Sequence, residues 1–77
     1  MSAVQTPIDW IMAAACKATG VTPRLMRSPR KFRSLVNARW FAASKMRAEG
    51  YSYPEIGRAL GGFDHSTIIH LLKRGRK

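Results

Sequence analysis

Residues 54–74, PEIGRALGGFDHSTIIHLLKR, decide the fold. They read as a short helix, a glycine-bearing break and a second amphipathic helix. Ser52 and Pro54 give a start signal, and Glu55 is well placed against the positive end of the helix dipole. Ile56, Ala59 and Leu60 then make a buried face. Gly61-Gly62 breaks the chain sharply, because glycine takes positive φ without steric cost. Asp64 is placed to cap the next helix, whose Ile68, Ile69, Leu71 and Leu72 are expected to point inward. This is the outline of a helix-turn-helix, in which the second helix enters the major groove of DNA N-terminus first. Any helical hairpin shares that outline, so the outward face of the second helix has to sharpen it. Its free positions are Ser66, Thr67, His70, Lys73 and Arg74, polar near the start and basic near the end. Small hydroxyls can bond base edges or meet thymine methyls, and trailing bases can hold phosphate.

Upstream, the same punctuation marks three more helices. Thr6-Pro7 reads as an N-cap with proline at the first helical position, and Asp9 suits the first turn. Ile8, Ile11, Met12, Ala15 and Ala18 recur at helical spacing until Gly20 closes the helix. Thr22-Pro23 repeats the start signal for a short helix carrying Leu25 and Met26, which Pro29 ends. A basic loop follows, Ser28-Pro29-Arg30-Lys31-Phe32-Arg33. A longer helix is predicted over about residues 34–49. Leu35, Ala38, Phe41, Ala42 and Met46 form one stripe; Val36, Trp40 and Ala43 lie on the other side. A helix apolar on two sides belongs at the centre of a small bundle, which makes Trp40 a core residue. Gly50 ends this helix, and residues 73–77 read as a fraying, solvated terminus. The predicted fold is all-α, a small bundle of about five helices in one domain over residues 1–77, with the helix-turn-helix at about 54–74.

Composition narrows the function. The 77 residues suit one domain with a modest core. The longest apolar stretch, residues 8–16, is broken by Asp9 and falls far short of the roughly 20 residues of a membrane span. With no signal-peptide pattern, a cytoplasmic, nucleoid-associated location is expected. Cys16 is the single cysteine, and His65 and His70, five apart, point about 140° away from each other on a helix. Neither a disulfide nor a metal site is expected, nor a cofactor. Fourteen Lys and Arg against four acids give a net charge of +10. Six bases and no acid lie between Arg24 and Arg39. That imbalance implies a polyanionic partner. The four acids are dispersed and no serine or cysteine has a base partner by spacing, so no catalytic constellation is expected.

Within residues 54–74, the run Ile56-Gly57-Arg58-Ala59-Leu60-Gly61-Gly62-Phe63-Asp64-His65-Ser66-Thr67-Ile68 closely resembles the signature of the DnaA family, in the C-terminal DNA-binding domain of the bacterial replication initiators. That pattern reads Ile-Gly, a short helix, then Gly-Gly-Arg-Asp-His-Thr or Ser-Thr-Val. The resemblance extends upstream through Val21-Thr22-Pro23, the basic loop, Ala38-Arg39 and Tyr53-Pro54-Glu55, so it covers about residues 6–74. It implies the fold of that domain, which is also Trp-repressor-like. It implies that Asp64, His65 and Ser66 read bases in the major groove, with Thr67 adding a backbone or methyl contact. Arg30 or Lys31, with Arg33 in the same loop, would serve the adjacent minor groove. Arg39 would lie among phosphate and base contacts and Lys45 among phosphate contacts; Pro54, Phe63, His70, Lys73 and Arg74 complete the implied surface. The implied target is a short asymmetric box of the TTATNCACA type.

Bland readings stand beside these. Asp64 is an excellent cap, His65 lies by helical angle over the apolar stripe, and the loop bases can be simply solvated. Phe63 departs from the family's arginine, which removes an expected phosphate anchor. There is no Gly-x-x-x-x-Gly-Lys-Ser/Thr phosphate loop for nucleotide-driven origin melting. The expectation is sequence-specific binding of double-stranded DNA by a stand-alone, initiator-like domain, a regulator of transcription or replication, monomeric, with no membrane or small-molecule partner. Two alternatives remain: an excised domain of a full initiator, and a protein-binding adaptor that has lost DNA binding.

Overall fold

The computed structural model describes residues 6–30 and 33–74, the side chain of Arg74 excepted. Among these residues it has five helices and no strand: α1 (Ile8–Thr19), α2 (Pro23–Met26), α3 (Arg33–Ala48), α4 (Tyr53–Ala59) and α5 (His65–Arg74). The expected all-α bundle is therefore present. The sequence expectations for Lys31 and for residues 75–77 lie outside the described residues.

The start signals hold where a hydroxyl can reach its N–H. Thr22 Oγ1 accepts from Leu25 N (3.2 Å) at α2. Ser52 and Glu55 form a reciprocal capping box on α4. At α1 the expectation fails: Pro7 occupies the cap position and no side chain caps the helix. Thr6 is instead used at long range, its N–H donating to Glu49 Oε1 (3.0 Å) and its carbonyl accepting from Tyr51 Oη (2.7 Å). These bonds tie the entry of α1 to the end of α3.

The central helix is α3, and it packs against all four others. Leu35, Ala38, Ala42 and Met46 are buried as predicted, with Ala43 beside them. Phe41 departs from its predicted stripe and is exposed, while Trp40 is half-buried and outside the core cluster. The buried arc is as wide as predicted but rotated toward Arg39 and Ala43, which carries Phe41 out of it. In α1, Ile11, Met12 and Ala15 are buried and Ala18 is exposed. In α5, Ile68 is fully buried, whereas Ile69, Leu71 and Leu72 are half-buried.

The turn between α4 and α5 is set by close approach. Gly57 accepts from both Gly62 N (2.8 Å) and Phe63 N (3.0 Å). A Cβ on Gly57 would lie 1.9 Å from the Phe63 carbonyl oxygen, so no side chain fits. Gly61, at φ +114°, would place a Cβ 2.7 Å from the Arg27 carbonyl oxygen. The loop after α2 thus sits directly against the turn that introduces α5.

Candidate nucleic-acid interface

Asp64 opens α5. Its Oδ1 accepts from Thr67 N (3.1 Å) and from the Thr67 hydroxyl (2.8 Å). Those bonds, the hydroxyl first, hold the carboxyl below its ordinary range. An ionised carboxylate therefore stands at the helix start, where it satisfies an orphan N–H and can also accept from an outside donor. His65, Ser66 and Thr67 are exposed beside it, followed by His70 and Lys73 one and two turns on. The apolar-stripe reading of His65 is corrected: Ile68 fills the core-facing position of that turn and His65 stands in solvent. Arg74 is the last residue of α5.

The basic loop meets this helix start through Arg39. That side chain is 5% exposed. Its Nε donates to the Met26 carbonyl (2.9 Å), Nη1 to the Arg30 carbonyl (2.7 Å), and Nη2 to the carbonyls of Leu25 (3.4 Å) and Ser28. Its guanidinium carbon stands 5.0 Å from the centroid of the Phe63 ring. In this structure the Arg39 side chain is engaged within the protein. Its donors are spent on backbone carbonyls, and burial pulls its pKa below the ordinary arginine value. It fastens residues 25–30 to the turn before α5.

Phe63 is likewise engaged within the protein. The half-buried ring packs against the core and lies under Arg39, so it faces the protein. Its edge also lines a shallow groove with Pro54, Arg58, Gly62, Asp64 and His65, which joins the start of α4 to the start of α5. Arg30 in the loop and Arg33 at the first position of α3 are exposed, and Lys31 is outside the described residues. Lys45 is exposed, about 120° around α3 from Arg39 at 100° per residue. There its charge acts on Glu49.

Two residues escaped the sequence reading. Arg58 borders the groove beside His65. Arg27 is exposed, its Nε donates to the Ala59 carbonyl (3.4 Å), and its backbone is what Gly61 accommodates. The only signal for Arg27 was the pairing of a turn glycine with a basic loop distant in sequence. Together the structure brings Arg27, Arg30, Pro54, Arg58 and the residues 63–67 around one end of the molecule. It forms a cationic, exposed edge with a polar helix N-terminus at its centre. Among the described residues, no group of three His, Cys, Asp or Glu side chains could hold a metal ion. No described helix is long and apolar enough to cross a membrane.

Comparison with known proteins places this geometry. The family described as "Bacterial dnaA protein helix-turn-helix" matches residues 8–74. The chain is similar to the chromosomal replication initiator protein DnaA of Thermodesulfovibrio yellowstonii, 34% identical over 71 residues, covering 91% of this chain and 16% of that protein. It is 39% identical over 69 residues to that of Sphingopyxis alaskensis (86% and 15%), and 37% identical over 67 residues to that of Streptococcus pyogenes (83% and 14%). The chain thus spans about one-seventh of the length of these relatives. No solved structure matches it significantly.

Proposed function

Because the chain belongs to the bacterial DnaA helix-turn-helix family, a DNA-binding domain, we propose that it binds duplex DNA sequence-specifically at initiator-box-like sites, as a regulator of transcription or replication. The observation that carries this reading is the start of α5, where Asp64, His65, Ser66 and Thr67 are exposed together on a capped helix. In the proposed docking this end enters the major groove. The Asp64 carboxylate accepts from a cytosine amino group, while His65 and Ser66 bond neighbouring base edges. The Thr67 hydroxyl donates to Asp64, which leaves its methyl for a thymine methyl. Arg30, Arg33 and Lys31 serve the flanking minor groove and phosphates. Lys73, Arg74 and His70, with Lys45 on its own flank, hold phosphates further along. Pro54 and Arg58 meet the backbone at the groove beside His65. In this reading residues 1–77 act as one binding domain at the nucleoid, with no reaction of their own and no cofactor.

Selection from a random duplex pool tests the site, and single variants test the readers. His65→Ala or Ser66→Ala is expected to cost about 1–3 kcal/mol on the selected duplex and little on a scrambled one. Equal losses on both duplexes would remove the base-reading role.

A further inference from the structure

The outward face of α1 plays no part in the interface described above. Trp10 is 73% exposed there. Asp9, Ala13, Ala14 and Lys17 are exposed with it and together they line a shallow hollow. At 100° per residue these five cover about 140° of the helix, centred opposite the face formed by Ile11, Met12 and Ala15. The face is apolar in the middle and oppositely charged at its ends. Asp9 and Lys17 are eight residues apart, about 12 Å along the axis, too far to pair within one helix.

We propose that this face is a self-association surface, occupied by α1 of a second copy lying antiparallel. The argument is charge complementarity. About a two-fold axis between Ala13 and Ala14, the Trp10 of each copy stands opposite the partner's Lys17, and Ala13 opposite the partner's Ala14. Each Lys17 ammonium then reaches the indole face of Trp10 and the Asp9 carboxylate one residue before it. The two alanines at the centre let the axes approach to about 8 Å. A parallel arrangement would set Asp9 against Asp9 and Lys17 against Lys17. Symmetry makes the contact twice over, with a large aromatic anchor at each end, as in other isologous interfaces.

The contact is small. One face of a three-turn helix buries much less than the roughly 1,200–2,000 Å² of a stable complex. The net charge of +10 per chain also opposes pairing in free solution. Association is therefore weak, and it strengthens as salt screens that charge.

Sedimentation equilibrium of the full chain at moderate salt, over rising protein concentration, tests the proposal. The expected result is a reversible monomer–dimer equilibrium. Trp10→Ala and Lys17→Asp should each weaken it about tenfold, a change of about 1.4 kcal/mol. The double variant Asp9→Lys with Lys17→Asp should associate more tightly than Lys17→Asp alone, because the exchanged charges again meet their opposites across the axis while the contact of the ammonium with the indole stays lost. All three positions are exposed, and circular dichroism of each variant checks that it folds. A wild-type chain that stays monomeric at every concentration would overturn the proposal. So would a dimer indifferent to Trp10→Ala, or a charge exchange that recovers nothing of what Lys17→Asp alone loses. The cell contains no DNA, so the outcome stands apart from the DNA-binding reading.

Discussion

At position 63 the ring of phenylalanine lies half-buried under the Arg39 guanidinium, which in turn holds four carbonyls, two at the end of α2 and two in the loop before α3. An arginine at 63 would set two cations face to face at the edge of the core. Phe63→Arg is therefore expected to lower the Tm by several degrees, since about 1 kcal/mol moves a domain of this size by roughly 4–8 °C. Thermal melts followed by circular dichroism check this. An unchanged Tm with a salt slope steeper by one contact would return position 63 to a phosphate-facing role. The sequence made Asp64, Ser66 and Thr67 legible because each follows from a cap position or an outward face. It could not show the burial of Arg39, since arginine is rarely buried and its partners lie 9–14 residues upstream. Gly57 was legible only as part of a pattern. Its reason, a carbonyl oxygen 1.9 Å from the missing Cβ, exists only once the turn has closed.

Helix starts carry the electrostatics of the elements. Thr67 holds the Asp64 carboxyl below its ordinary range, by its hydroxyl and then its backbone N–H. Ser52 does so for Glu55, the backbone N–H first and then the hydroxyl, and the Thr6 N–H does so for Glu49. A carboxyl whose folded pKa is depressed contributes stability that is present above its unfolded value and lost as the pH falls through the folded one. The Tm is therefore expected to be flat from neutral pH to about pH 5 and to fall progressively below about pH 4. The fall should be smaller in Asp64→Asn, which keeps a capping oxygen without a titrating charge. Melts at a series of pH values would show it, and a Tm at pH 3 equal to that at pH 7 would contradict it. All five starts lay where the sequence put them to within about a residue, because hydroxyl caps and prolines act locally. The Thr6 cap failed for a tertiary reason: Glu49 and Tyr51 claim that residue from the far end of α3.

For the whole molecule, the readable quantities were helix content, the fourteen cations against four acids and the polar face of the last helix. What could not be read was which cations share an edge. Only the packing of the α2–α3 loop on the α4–α5 turn gathers Arg27, Arg30 and Arg58 near α5 and leaves Lys45 on another flank. If that edge tracks the backbone while α5 reads bases, affinity has two separable parts. The electrostatic part depends on salt and ignores sequence; the base-reading part does the reverse. Fluorescence anisotropy of the full chain across a salt series, on a TTATNCACA-type duplex and on its scrambled counterpart, measures both at once. The account predicts a linear fall of log affinity with log salt, with a slope of about −4 to −6 for roughly four to seven phosphate contacts. The box duplex should stay at least about tenfold tighter throughout. Equal affinity for the two duplexes, or an affinity that salt does not change, would contradict it.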